Sequence, residues 1–304
     1  MTRNIVFLVV GAALVALGVG QMLGGGCSLP VPHLNFTGGG STWVDGVELP
    51  HRATLKYSSP EKPRRFALSL DCASITVQGD PAVTGLEAEF EVQEKAEGDA
   101  SLVASPDSVG VRSASGSPVG IVSVKVRVPP DTEIDVATEF GGVIVKGIHG
   151  AGSVSARTSS GRVELGDLAD IARVTGASSF GAVKFEKGAA VAEVTLSTDS
   201  GAVAASAISG ATNVTLRSDF GKVTATSVAA SKSLSLETDS GSVDVQDVQT
   251  ETAKLRSDFG GITAKRSTFG HVEAHTSSGG VRLTSCTYQT KDLGTDFGKV
   301  VEER

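Results

Sequence analysis

The sequence predicts an all-β chain wound as a parallel β-helix, a β-solenoid of short stacked rungs. Three observations predict it. A four-residue signature ending in Gly recurs nine times, and its glycines, from Gly141 to Gly298, stand 20 or 19 residues apart. Apolar and polar residues alternate around each signature, the period of a strand with one buried face. The apolar residues are mostly small aliphatics: aromatics make up 5% of the 304 residues, with one Trp and two Tyr, which suits the bore of a narrow coil.

The chain divides into four stretches. Residues 1–27 carry Arg3 and then an apolar run from Ile5 to Val19, with no charged side chain between Arg3 and Asp45. A positive start followed by an apolar run reads as an export signal. The uncharged stretch also has the ~20 residues that a spanning helix needs. A third reading is lipid attachment at Cys27, which follows Leu23-Gly24-Gly25-Gly26 and precedes Ser28 in the manner of a bacterial lipoprotein signal. A signal peptide, a membrane anchor and a lipoprotein all place the rest of the chain outside the cytoplasm. Residues 28–62 hold Pro30, Pro32, Gly38-Gly39-Gly40, Pro50 and Pro60 and predict a Gly/Pro-rich linker.

Residues 63–136 predict an irregular β region that starts or caps the coil. Ala67–Leu70, Ser74–Val77, Leu86–Val92 and Ile121–Val128 alternate as strands, and Pro129-Pro130-Asp131 marks a turn. Solenoids require atypical end units of this kind.

Residues 137–304 are the repeats. The signature reads Thr138-Glu139-Phe140-Gly141, Thr158-Ser159-Ser160-Gly161, Ser178-Ser179-Phe180-Gly181, and so on to Thr295-Asp296-Phe297-Gly298. Two residues after each Gly stands a β-branched aliphatic, from Val143 to Val300, and two further on, in most units, another apolar residue. The Gly is expected where the backbone turns with positive φ, and the preceding Thr or Ser is expected to cap the turn with its hydroxyl. The residue before the Gly alternates Phe, Ser, Phe, Ser through all nine units. A 20-residue coil sets each Phe above a Ser, whereas a 40-residue coil stacks like on like. Arg217, Glu237 and Arg256 favour the 20-residue coil, which makes them an attractive ladder. The terminal charges Glu302, Glu303 and Arg304 are expected to blunt the last strand edge.

With these residues in view, Val128-Pro129-Pro130-Asp131 through Gly141-Gly142-Val143-Ile144-Val145, followed by Ser-Gly-x-Val and Phe-Gly-x-Val units, resembles a bacterial adhesin-type domain of unknown function over residues 64–304. The resemblance implies a β-helical, exported protein and carries over no site residues.

The chemistry-bearing residues are few. His271, Glu273 and His275 fall on one outward strand face, where two imidazoles can hold zinc or stand solvated. Asp199, Asp219, Asp239, Asp258 and Asp296 recur at one turn position, where stacked carboxylates can meet calcium or serve as turn residues. Cys286 occupies a slot filled elsewhere by Ile148, Leu168 and Ile208 and is expected to be a core residue; no disulfide to Cys72 is expected. No phosphate-binding loop, dinucleotide fingerprint or nucleophile motif is present, and no catalytic residue, metal site or cofactor is assigned. A net charge of −7 argues against nucleic acid as a partner. The expected function is a non-enzymatic cell-envelope module, with an adhesin-like binding or structural role toward a protein or glycan. The alternatives are a scaffold assembling end to end through an open coil edge and a carbohydrate-active β-helix enzyme. The expected location is extracytoplasmic, with the membrane as partner of the N-terminal segment.

Overall fold

The computed structural model describes residues 42–44 and 46–304. Cys27 and the apolar N-terminal segment lie outside the described residues. Among the described residues every regular element is a strand, and no helix is long and apolar enough to cross a membrane.

The first elements are β1 (Thr42–Val44) and β2 (Val47–Leu49), an antiparallel pair, and β3 (His51–Ser59). They fall in the stretch read from composition as a linker. β3 alternates half-buried and exposed residues and pairs along its whole length with β6 (Leu86–Glu94). Its alternating Ala53, Leu55 and Tyr57 pack on the core. Pro50 and Pro60 merely bracket this strand.

The coil begins with β4 (Arg65–Cys72) and β5 (Ser74–Gly79). The excursion that follows holds β6, the hairpin of β7 (Ala100–Ser105) and β8 (Ser108–Ser113), and β9 (Gly120–Val128). β9 runs parallel to β5 and antiparallel to β6, and Ala67 N–H donates to Asp107 O beside the hairpin at 2.8 Å. The N-terminal strand edges are thus largely covered.

From β10 (Glu133–Phe140) and β11 (Val143–His149) onward the chain advances rung by rung. Next come β12 (Ser153–Ser160) and four strands that each run through a corner: β13 (Val163–Ser178), β14 (Val183–Thr198), β15 (Val203–Ser218) and β16 (Val223–Thr238). Shorter pieces complete the coil: β17 (Val243–Gln246), β18 (Gln249–Ser257), β19 (Ile262–Lys265), β20 (Thr268–Thr276), β21 (Val281–Thr284), β22 (Thr287–Thr295) and β23 (Val300–Glu303). All pairings within this series are parallel, in registers such as Val163↔Val183↔Val203. The coil is therefore the 20-residue one, a parallel β-solenoid as expected. Arg217, Glu237 and Arg256 are lateral neighbours. Their closest ion pairs, however, are Arg217–Asp219 and Lys254–Glu237, both at 3.3 Å.

The alternation buries what it should. Val143, Val163, Val183, Val203, Val223, Val243, Ile262 and Val281 stack in one column at zero exposure, and Val154, Val174, Val194, Val214 and Leu234 form the facing one. Each rung covers the apolar edge of the next, so the core is a column that no single rung could bury alone.

The signature glycine does a different job from the one expected. Among Gly141, Gly161, Gly181, Gly201, Gly221, Gly241, Gly260, Gly279 and Gly298, only Gly141 has a positive φ, +138°. What each lacks is space: a Cβ would fall well under 3.0 Å from the carbonyl oxygen of the turn residue in the rung beneath. Glycine is required here by close backbone stacking. From Thr158 onward the Thr or Ser three residues earlier, buried in every unit but the last, reaches the same carbonyl. Thr158 Oγ1 donates to Gly141 O at 2.9 Å, Ser178 Oγ to Gly161 O at 2.8 Å, and the pattern continues to Thr295 Oγ1 on Gly279 O at 2.7 Å. The hydroxyls cap turns, as expected, but those of the preceding rung.

Positive φ appears at the opposite corner, mostly in residues other than glycine: Asp167, Lys187, Ala207, Ser227, Asp247, Arg266 and Ser285 follow Gly147 in one column. Each L-residue there costs ~1–2 kcal/mol, held by stacking on both sides. At one of them Arg266 binds Asp247 through Nε at 2.8 Å and through a terminal nitrogen at 2.9 Å; the guanidinium holds the Asp247 carboxyl below the usual carboxylate range. Gly150, Asp170, Ala190 and Gly210 form a second such column, which stops one rung before the glycine spacing falls from 20 to 19.

The last rung has a polar interior. Lys291 pairs in register with buried Val272, and Glu302 with buried Leu283, so both occupy inward positions. They meet across the coil, Lys291 Nζ lying 2.5 Å from Glu302 Oε1, with the Tyr288 hydroxyl on the same carboxylate. An ion pair facing out of the bore blunts the edge. Lys291 first, and then Tyr288, holds the Glu302 carboxyl below its usual value. A depressed carboxylate pKa contributes stability that is present above its unfolded value and lost as pH falls through the folded one. Amide exchange in β22 and β23 is therefore expected to accelerate first on acidification, and Glu302→Gln is expected to remove that pH dependence.

Candidate functional site: an aromatic ridge

The outward-facing turn residues form the most distinctive surface. Phe140, Phe180, Phe220, Phe259 and Phe297 are 53%, 68%, 66%, 70% and 82% exposed. They belong to one column of turns, alternating with Ser160, Ser200, Ser240 and Ser278. With rungs ~4.8 Å apart, successive rings lie ~9.6 Å apart and the row runs for ~38 Å. Phe faces outward because the Thr or Ser two positions earlier faces in and the Gly that follows is pinned to the rung below. No place in the bore is left for it.

The ridge backbone is hydrogen-bonded from rung to rung. Phe180 N–H donates to Ser159 O at 2.9 Å, Ser200 to Ser179 at 2.8 Å, Phe220 to Asp199 at 2.9 Å, Ser240 to Asp219 at 2.8 Å and Phe259 to Asp239 at 2.9 Å. The rings are therefore mounted on a fixed backbone. Scattered exposed apolar residues are ordinary; five aromatic rings aligned in one column are not scattered.

The recurring turn carboxylates flank this ridge. Asp199, Asp239, Asp258 and Asp296 are exposed, Asp219 is half-buried and takes Arg217, and Glu139 precedes Phe140. Among the described residues no group of three or more His, Cys, Asp or Glu side chains is disposed to hold a metal ion. His271 and His275 do share an outward face, but each meets the next rung: His271 Nδ1 lies 2.8 Å from Thr290 Oγ1, and His275 Nε2 lies 3.2 Å from Asp292. Cys72 and Cys286 are free thiols at opposite ends of the coil. Cys286 does occupy the expected slot but is only half-buried, its Sγ 3.5 Å from Thr284 O, and burial pushes its thiol pKa up.

A shallow open groove of about 710 Å³ runs along another side, lined in part by Gly210, Ser231, Thr250, Glu251, Thr268 and Tyr288. It lies where the second positive-φ column ends and the wall loses one residue per rung. Its lining mixes hydroxyl, amide and carboxylate groups with apolar surface from Ala211, Ala230 and Phe269.

Sequence reasoning weighed the Phe/Ser alternation only for its bearing on coil length, which the Arg217, Glu237 and Arg256 ladder decided, and missed the ridge. The signal was present: Phe sits between an inward hydroxyl and a turn glycine, outside the inward positions of either flanking strand.

Fold and surface together define a parallel β-solenoid with a polar-ended bore and an aromatic turn ridge. The chain belongs to the Toastrack DUF4097 family, whose model matches residues 119–293. No curated protein matches it. Three solved structures are similar to it. A candidate lipid-binding protein from Parabacteroides distasonis is 12% identical, with TM-score 0.49, over 83% of this chain and 97% of that one. A candidate adhesin from Bacteroides fragilis is 10% identical, with TM-score 0.34, over 83% and 97%. A candidate cell adhesion protein from Clostridium sporogenes is 7% identical, with TM-score 0.25, over 84% and 100%.

Proposed function

We propose that the chain is a non-enzymatic, adhesin-like contact module of the cell envelope, held outside the cytoplasm by its N-terminal apolar segment, and that the phenylalanine ridge is its contact surface. The ridge carries this reading. Five exposed rings on a hydrogen-bonded backbone are costly to leave in water, at roughly 25 cal/mol per Å², and rigid mounting lowers the ordering cost of any contact they make. The apolar run before Asp45 supports export.

The test compares cells producing the full chain with cells producing a variant in which all five ridge phenylalanines are Ser. Protease added to spheroplasts, whose cytoplasmic membrane is intact, is expected to cut both chains. Co-sedimentation of the exported part with isolated envelopes, after release from its anchor, is expected to fall about tenfold in the variant. Equal retention would remove the ridge from the function, and protection from protease would remove the location.

A further inference from the structure

We propose that the ridge docks on the ridge of a second copy of this chain, antiparallel and offset by one rung, so that each Phe enters the gap above a partner serine. This rests on the reading of the ridge as a contact surface and names its partner.

The first argument is shape. A large side chain alternates with a small one at every step of the column, and the backbone hydrogen bonds hold the steps in line. A comb with equal teeth and gaps is complementary to itself. Rotation about a two-fold axis lying between rungs sets every Phe opposite a Ser, as a closed isologous contact requires.

The second argument is area. With Phe140, Phe180, Phe220 and Phe259 engaged, their exposures amount to about 500 Å² per copy on a scale of ~200 Å² per ring. Two copies thus bury about 1,000 Å² from rings alone, the size at which specific interfaces begin. Flanking serines and strands add to it.

The third argument is charge, which chooses between the two possible offsets. Leaving Phe140 outside sets Asp199 against the partner's Asp258 and Asp219 against the partner's Asp239. Leaving Phe297 outside opposes only Asp199 and the partner's Asp219. Like charges in apposition oppose association, so the second offset is the stable one. The coil ends compete poorly as an alternative interface. Antiparallel strands cover much of the first, and the Lys291–Glu302 pair would have to be desolvated at the last.

The experiment places benzoylphenylalanine at position 180 of the full chain in producing cells and applies light. A cross-linked species of twice the chain mass is expected. Adding Phe220→Ser should reduce its yield about tenfold. Ser200→Phe should reduce it similarly, because it fills a gap, although it makes the ridge more apolar. Both substitutions are in the exposed turn, and an unchanged circular dichroism spectrum establishes that the coil is intact. A ridge that is merely adhesive predicts the opposite response to Ser200→Phe, and an increased dimer yield overturns the inference. Cross-links only to other envelope components also overturn it while leaving the ridge as a contact surface. No cross-link of any kind removes both.

Discussion

Gly221→Ala is expected to break the coil in its middle. The added methyl would occupy the position of Gly201 O and crowd Ser218 Oγ as well. The first obstacle is backbone, so no side-chain rotation relieves it. The carbonyl it displaces is the acceptor for Ser218 Oγ at 2.8 Å, a buried bond whose loss leaves both groups unpaired. Overpacking against a fixed main chain plus one lost buried hydrogen bond places the cost at about 3–5 kcal/mol. Because each rung contacts only its neighbours, the damage should split denaturant unfolding into two transitions. Gly142→Ala is the control. Its Cβ would lie 3.6 Å from Arg162 O, ordinary contact distance, and its effect should stay within about 0.5 kcal/mol. If the two variants unfold alike, conformational freedom rather than close stacking explains the glycine column.

This pair of glycines also shows how far the sequence speaks. Spacing and alternation make the coil length and the inward columns legible, since one rung's pattern must match the next for either to be buried. They do not distinguish a glycine kept for φ from one kept for space; that depends on how near the turn carbonyls approach, a distance no single rung encodes. β3 is missed for a different reason. Tyr57 and Leu55 alternate with polar residues as in any strand, but Pro50 and Pro60 give the stretch the composition of a linker. The ridge was written in the sequence as an alternation, and its exposure follows once the hydroxyl before it is seen to face in. The Lys291–Glu302 pair was half legible: terminal charge was expected to blunt the edge, while its inward placement needed the register.

Phe185 should show how strictly the bore fixes volume. Its ring is fully buried between Leu165 below and Ala205 above, in a column otherwise made of smaller residues. Room for it comes from Gly188, where Leu168 and Ile208 stand in the adjoining rungs. A Cβ at Gly188 would lie 2.7 Å from Phe185 Cζ, so the ring extends over the missing side chain. One aromatic thus replaces the aliphatic pairs Leu165/Leu168 and Ala205/Ile208. Phe185→Ala alone is expected to cost about 3–5 kcal/mol through the cavity it leaves, and Gly188→Ile alone about 1–3 kcal/mol or more through overlap with the ring. The double variant copies the pair in the rung above. It should recover roughly half of the summed loss, with a coupling energy of about 2–3 kcal/mol in a denaturant double-mutant cycle. The backbone at Gly188 allows this, because its φ is not in the left-handed region and Ile suits a strand. Additive losses would mean that Gly188 is needed for its main chain, and that a rung's volume is not shared between these two columns.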